Sequence, residues 1–311
     1  MVSAFLVSCG EDRETAAGMT EPTAKIRLYP EGQDVDMGIV EDGVQITSGP
    51  VCNNHIDTLV TEDSWAKIGD NAWIELYIPE KCNGQMVVVC PGGGYNTISY
   101  YNEGTHVAYH LTQRGYAACI VVYRMPNYHH QLPLTDVQNA FRYCRYHAAD
   151  WGVDQIGIFG GSAGAHLAAC ASTLYEDEVT RPDFSILLYG VLSFDVAGMG
   201  GGTRRRLTTR QDDEESLVQR YSCTRNVTPD TPPTFLALSA DDKTVSPEYS
   251  IEYYRVCRAN GVPVQMHIYP TGGHGWGFST PDLAEEDKLG PYRQAFFDAL
   301  FAFLESLRPE A

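Results

Sequence analysis

The chain has 311 residues, enough for one large α/β domain with a full core. Hydrophobic residues make up 43 % and charged residues 20 %, an ordinary globular balance that excludes disorder and a membrane bundle. With 22 basic and 40 acidic residues the formal charge is −18. Such a surface repels phosphates and anionic membranes, so nucleic acid is excluded as a partner, while neutral sugars and esters are not repelled.

The N-terminus reads Leu6-Val7-Ser8-Cys9, then the polar Gly10-Glu-Asp-Arg-Glu-Thr. It resembles a bacterial lipobox, in which the cysteine is lipidated and what precedes it removed. It lacks the basic segment and most of the apolar segment of the roughly 15 to 30 residues usual in a signal peptide. The expectation is an exported, membrane-anchored lipoprotein: Cys9 carries the anchor, residues 1–24 are signal remnant and tether, and the catalytic domain spans 25–311.

From residue 25 apolar runs alternate with helical patterns, the rhythm of an α/β fold. Trp73–Ile78 alternates and predicts a half-exposed strand. Met86–Cys90 predicts a buried strand, Glu103–Arg114 a helix stopped by Gly115, and Ala117–Tyr123 another buried strand. Leu134–Ala149 predicts a long amphipathic helix, Ile156–Phe159 a strand and Ala163–Tyr175 the helix after it. Phe184–Tyr189, Thr234–Ser239 and Val264–Tyr269 read as strands. Ser246–Asn260 reads as a helix, and Pro281–Leu307 carries the last one. Residues 195–233 break the rhythm with a glycine run, Arg204-Arg-Arg, Asp212-Asp-Glu-Glu and a proline-rich end, and read as a cap or loop insertion with its charge runs solvated.

Gly160-Gly-Ser162-Ala-Gly164 fits G-x-S-x-G between a predicted strand and a predicted helix. On so sharp a turn the neighbours must be small, and the serine Oγ stands exposed above the sheet. Pro91-Gly-Gly-Gly-Tyr95 follows an earlier strand, where glycine lets the backbone approach a ligand closely. The N–H groups of Gly93, Gly94 and Ala163 are the candidate oxyanion hole. No Gly-Lys-Ser/Thr follows, so a phosphate loop is excluded. Further along come Asp241-Asp242-Lys-Thr-Val245 and Gly272-Gly-His274-Gly-Trp-Gly277, each after a strand. The order Ser162, Asp242, His274 is that of an α/β-hydrolase triad, with Asp242 chosen by the Asp-x-x-Val pattern and Asp241 left as a supporting carboxylate.

With Ile26–Gly32, Cys90–Tyr95, Tyr123-Arg-Met-Pro126, Gly161–His166, Val227–Pro233 and Gly273–Phe278, the chain resembles the acetyl-xylan and feruloyl esterase branch of the α/β hydrolases over residues 25–306. That family often has Gly-Phe-Ser-Ala-Gly-Gly-His, and Gly161 and Ala165 depart from it. The resemblance implies an α/β-hydrolase fold, a mostly parallel sheet with helices on both faces. It also implies hydrolysis of short acyl esters, acetyl first, on xylan or xylo-oligosaccharides, with no cofactor or metal. Tyr95, His130, Gly161 and Trp276 are candidate pocket residues, with His129 beside His130 at the entrance. His106 and His110, spaced i, i+4, lack the partners of a metal site. A peptidase-like serine hydrolase is the enzymatic rival, and a non-catalytic carbohydrate-binding lipoprotein the rival from another class.

Overall fold

A computed structural model describes residues 21–28, 72–126, 130–195, 201–208 and 214–308. Cys9, the lipobox, His129 and most of Ile26–Gly32 lie outside the described residues.

Eight strands form one sheet: β1 (Ala24–Arg27), β2 (Trp73–Tyr77), β3 (Gln85–Cys90), β4 (Ala117–Val122), β5 (Gln155–Gly161), β6 (Ser185–Leu188), β7 (Thr234–Ser239) and β8 (Val264–Tyr269). Their spatial order is β1-β2-β4-β3-β5-β6-β7-β8. The β1/β2 and β2/β4 pairs are antiparallel and every other pair is parallel. The helices are α1 (His106–Thr112), α2 (Leu132–His147), α3 (Ala163–Thr173), α4 (Gly201–Thr208), α5 (Glu214–Tyr221), α6 (Glu248–Ala259) and α7 (Arg293–Ser306).

The buried runs become strands because both faces of the sheet are covered. Along β3, Met86, Val88 and Cys90 join a cluster that includes Phe141 of α2 and Leu167 of α3. Val87 and Val89 join the opposite cluster, with Leu111 of α1 and Phe296 and Leu300 of α7. Helix α3 is apolar along nearly its whole length and buried accordingly. The order reverses at β3, whose neighbours are β4 and β5, and in such sheets a crevice opens at the carboxyl ends of these strands.

Two expectations need correction. Strand β2 is buried, not half-exposed: Glu75 is 1 % exposed. Its carboxylate meets Lys25 Nζ at 2.8 Å and accepts from the Trp73 indole and the Tyr77 and Tyr100 hydroxyls. An alternating polar position thus reads as solvent-facing when its partners are far away in the chain. Helix α2 begins at Leu132, two residues early, because Pro133 suits a first helical turn. The 195–233 segment holds α4, α5 and a 3₁₀ turn at Cys223–Arg225.

Candidate active site

Strands β3 and β5 pair in parallel with Cys90 opposite Gly160, so the two glycine-rich turns leave the sheet side by side. Ser162 has φ +54° and ψ −120°, a strained conformation for a residue with a Cβ. Among the described residues only Tyr95 and Tyr189 share a positive φ without being glycine, and both lie against this site.

The turn needs its small neighbours. A Cβ on Gly164 would lie 2.0 Å from the Cys90 carbonyl oxygen, and one on Gly160 would lie 2.1 Å from that of Gly164. The helix start therefore settles directly on the end of β3, with Ala163 as the first residue of α3.

The structure brings Ser162, His274 and Asp242 together. Ser162 Oγ is 2.8 Å from His274 Nε2. His274 Nδ1 is 2.7 Å from Asp242 Oδ2. The carboxylate only accepts, so Nδ1 carries the proton and Nε2 offers its lone pair to the serine. Asp242 Oδ1 accepts the N–H groups of Thr244 at 2.8 Å and Val245 at 2.9 Å, which fixes the carboxylate plane. The His274 side chain is 18 % exposed and that of Asp242 is 1 %, so the imidazole reaches the surface and the carboxylate is shielded. Asp241 is exposed and accepts the Gly273 N–H at 2.8 Å, bracing the turn before His274.

In the Gly92–Gly94 turn the carbonyls are engaged. Gly92 accepts from Ser99, Gly93 from Asn96 and Thr97, and Gly94 from Arg206 Nη1 at 3.1 Å. Among the described residues no acceptor takes the N–H groups of Gly93, Gly94 or Ala163. The last of these sits at the positive end of the α3 dipole.

The four candidate pocket residues behave differently. Tyr95 is buried and turns inward, its hydroxyl 2.9 Å from His166 Nδ1. Trp276 is 1 % exposed and packs on Tyr189 and Phe296, its indole donating to Ser239 Oγ at 3.0 Å. A ring so covered has no face for a sugar. Gly161 is buried against Glu103 rather than open to a substrate. His130 is half-buried, with Nδ1 2.6 Å from the Tyr221 hydroxyl of α5, and so joins the body to the cap. The arginine run is exposed as expected, yet Arg206 reaches the Gly92–Gly94 turn.

His106 and His110 meet Ser279 Oγ at 3.1 Å and Thr280 Oγ1 at 3.3 Å, behind the His274 loop. His166, Cys170 and Cys223 bring their nitrogen and sulfur atoms within 4.8 Å of one another. His166 Nε2 donates to the Tyr221 carbonyl at 2.8 Å, which leaves Nδ1 to accept from Tyr95. Both nitrogens are engaged, and burial lowers the imidazole to about 4, so it stays neutral.

Sequence reasoning missed Glu103, Asn102, Tyr189 and Arg293. Arg293 donates to the carbonyls of Gly277 at 2.6 Å and Trp276 at 3.1 Å and pairs with Asp287 at 2.8 Å, tying α7 to the His274 loop. No local pattern marks these residues, because the contacts that tie them to the His274 loop and to Gly92 come from outside their own local windows.

A doubly wound, mostly parallel sheet with a strained serine after β5 and an acid and a histidine after β7 and β8 defines an α/β hydrolase. Residues 74–188 match the BD-FAE family model. An acetylxylan esterase of Xylanibacter ruminicola is 34 % identical over 209 residues, covering 66 % of this chain and 43 % of the relative. An endo-1,4-beta-xylanase B of Butyrivibrio fibrisolvens is 28 % identical over 205 residues, covering 61 % and 32 % respectively. The chain thus spans less than half the length of these curated relatives. The crystal structure of an acetyl ester-xyloside bifunctional hydrolase from Caldicellulosiruptor lactoaceticus aligns with a TM-score of 0.69 at 27 % identity, covering 92 % of this chain and 99 % of that one. The chain has the α/β-hydrolase fold and is similar in sequence to an acetylxylan esterase and in structure to an acetyl ester-xyloside hydrolase.

Proposed function

We propose that this protein is a serine esterase that removes short acyl groups, acetyl first, from xylan or xylo-oligosaccharides through an acyl-enzyme. The observation that carries the reading is the unbroken hydrogen-bond chain from Ser162 Oγ through the His274 ring to Asp242. Ser162 Oγ attacks the ester carbonyl carbon while His274 Nε2 takes its proton. The carbonyl oxygen becomes an oxyanion, which the N–H groups of Ala163, Gly93 and Gly94 receive. The tetrahedral intermediate collapses, the C–O bond to the sugar breaks, and His274 returns the proton to the leaving alkoxide. Water then attacks the acyl-serine by the same route, releasing the acid and restoring the hydroxyl. Asp242 keeps the imidazole in the tautomer this requires and stabilises the imidazolium. The acidic surface suits a neutral polysaccharide, and the relatives' names favour acetylated xylan.

The test is acid release from acetylated xylan, with 4-nitrophenyl esters from acetyl to octanoyl, for wild type and Ser162→Ala. Acetate release that falls sharply beyond acetyl and vanishes in the variant is expected. No turnover of any ester by wild type overturns the reading. We further propose export and a lipid tether at Cys9. Metabolic labelling with a radioactive fatty acid checks this, with label expected on the wild type and lost in Cys9→Ser.

A further inference from the structure

Asn102 and Glu103 take no part in the reaction above, yet they touch both sides of it. They lie in a π turn, Tyr101–Thr105, an irregularity that proteins tend to place at functional sites. Glu103 is 2 % exposed. Its Oε2 accepts the Gly92 N–H at 2.7 Å, and its Oε1 accepts the Tyr189 hydroxyl at 2.8 Å. That hydroxyl in turn accepts the Gly277 N–H at 2.8 Å. The Tyr189 ring stands edge-on to the His274 imidazole, centroids 5.0 Å apart. The carboxylate also fills the space beneath the nucleophile turn, since a Cβ on Gly161 would lie 2.5 Å from Glu103 Cδ. Asn102 adds a second tie: its Nδ2 donates to the Gly275 carbonyl at 2.6 Å, and its own carbonyl accepts the Phe278 N–H at 3.0 Å.

A buried carboxylate is costly unless its oxygens are satisfied. Burial pushes the Glu103 carboxyl up, while the Tyr189 hydroxyl, the positive potential of His274 and the Gly92 N–H pull it down. Space-filling alone needs no charge at this place. A charge that reaches the oxyanion turn, the nucleophile turn and, through one phenol, the histidine loop has a geometric task.

We infer that Glu103 is a positioning residue that holds the Gly92–Gly94 turn and the His274 loop in mutual register around Ser162. The oxyanion amides and the base then converge on one reacting carbonyl. This inference rests on the serine-esterase reading.

The experiment compares wild type, Glu103→Gln, Glu103→Ala and Tyr189→Phe. It measures 4-nitrophenyl acetate kinetics, and hydrogen exchange by mass spectrometry in peptides covering 91–99 and 270–278. The glutamine keeps the volume, but its neutral amide is a weaker acceptor for the Gly92 N–H and leaves the tyrosine proton without an acceptor. The alanine removes both contacts. With KM within about twofold, kcat should fall about tenfold in Glu103→Gln and Tyr189→Phe. It should fall about a hundredfold in Glu103→Ala, the scale of a misplaced reacting group. Exchange should rise in both peptides for the Glu103 variants, and only in 270–278 for Tyr189→Phe. Folded Glu103→Gln and Tyr189→Phe with wild-type kcat, or with exchange unchanged in both peptides, overturn the inference. Those two variants carry the test if the alanine does not fold. Wild type inert toward every ester, with both peptides still loosened together by Glu103→Gln, would sink the esterase reading and leave the coupling of the loops standing.

Discussion

On the Ser162 side of the site, three glycines stand where a side chain would strike backbone; the two glycines that flank His274 directly stand in open space. Gly160 and Gly164 have no room for a Cβ, and neither does Gly93, whose Cβ would lie 2.1 Å from the Thr97 carbonyl. Gly273 and Gly275, on either side of His274, have nothing within 4 Å of a Cβ, and are set apart only by φ of +60° and +72°. Gly160, Gly164 and Gly93 are therefore fixed by sterics, whereas the residues next to His274 are held by backbone conformation, by N–H groups given to Asp241, Asp242 and the Tyr189 oxygen, and by the Asn102 amide given to Gly275. The difference suits the chemistry proposed. The serine and its amides must already stand where charge will develop, whereas the imidazole must accept and return a proton.

The largest effects should come from removing the reacting groups. Ser162→Ala should lower kcat on 4-nitrophenyl acetate by about 10⁴-fold or more. Asp242→Asn should cost about 10³- to 10⁴-fold, because the amide can favour the wrong imidazole tautomer. If Asp242→Asn were nearly as active as wild type, the acid would not be the orienting group.

The comparison itself is broken or sharpened by two glycine variants. Gly164→Ala should destabilise by about 4 kcal/mol or more, or prevent folding, since its new methyl meets the backbone of Cys90 and Pro91. Gly273→Ala should cost only about 1 to 2 kcal/mol, the penalty of a left-handed conformation with a Cβ. Urea unfolding of both variants tests the contrast, and equal losses would abolish it.

A smaller and graded effect should follow pH. His166, on α3 behind Ser162, is held neutral by burial, its pKa lowered to about 4 from an ordinary 6.5. Below 6.5 the unfolded chain takes up a proton at this position that the folded protein refuses. Stability is thus fully present above that pH and falls as pH drops toward 4. The slope should reach about 1.4 kcal/mol per pH unit from this group. Urea midpoints between pH 7 and pH 4.5 should show it, and His166→Gln should flatten it. The smallest effect is expected at Asp241. Asp241→Asn keeps an acceptor for the Gly273 N–H, and kcat should stay within about threefold of wild type.

Most of the sheet was legible in the sequence because its parallel strands are buried on both faces and stand out as short apolar runs between turn residues. The candidate triad was legible for a related reason, since each member follows such a run, Ser162 and His274 in glycine-rich turns and Asp242 in Asp-x-x-Val. The buried acids were not legible. Glu75 and Glu103 look like surface residues in any local window, and only folding brings Lys25 and Tyr100 to one and Gly92 and Tyr189 to the other. Tyr95 and Trp276 erred in the same direction: their nearness to the site in sequence suggested a pocket, while their rings fill the core beneath it. Asn226 likewise looks like a surface residue, yet its side chain donates to the Arg220 carbonyl at 2.7 Å.

The pairing of Cys90 with Gly160 acts as a ruler for the whole site. The Pro91–Tyr95 turn starts one residue beyond that pair and the Ser162 turn two residues beyond it, so their separation is set by the hydrogen-bond ladder and not by either loop. A one-residue slip would exchange the two faces of β3 and drive its core side chains into the wrong layer. The packing that forbids the slip therefore also keeps the two turns in step, and a core repacked to a new register would lose the site before any of its residues had changed.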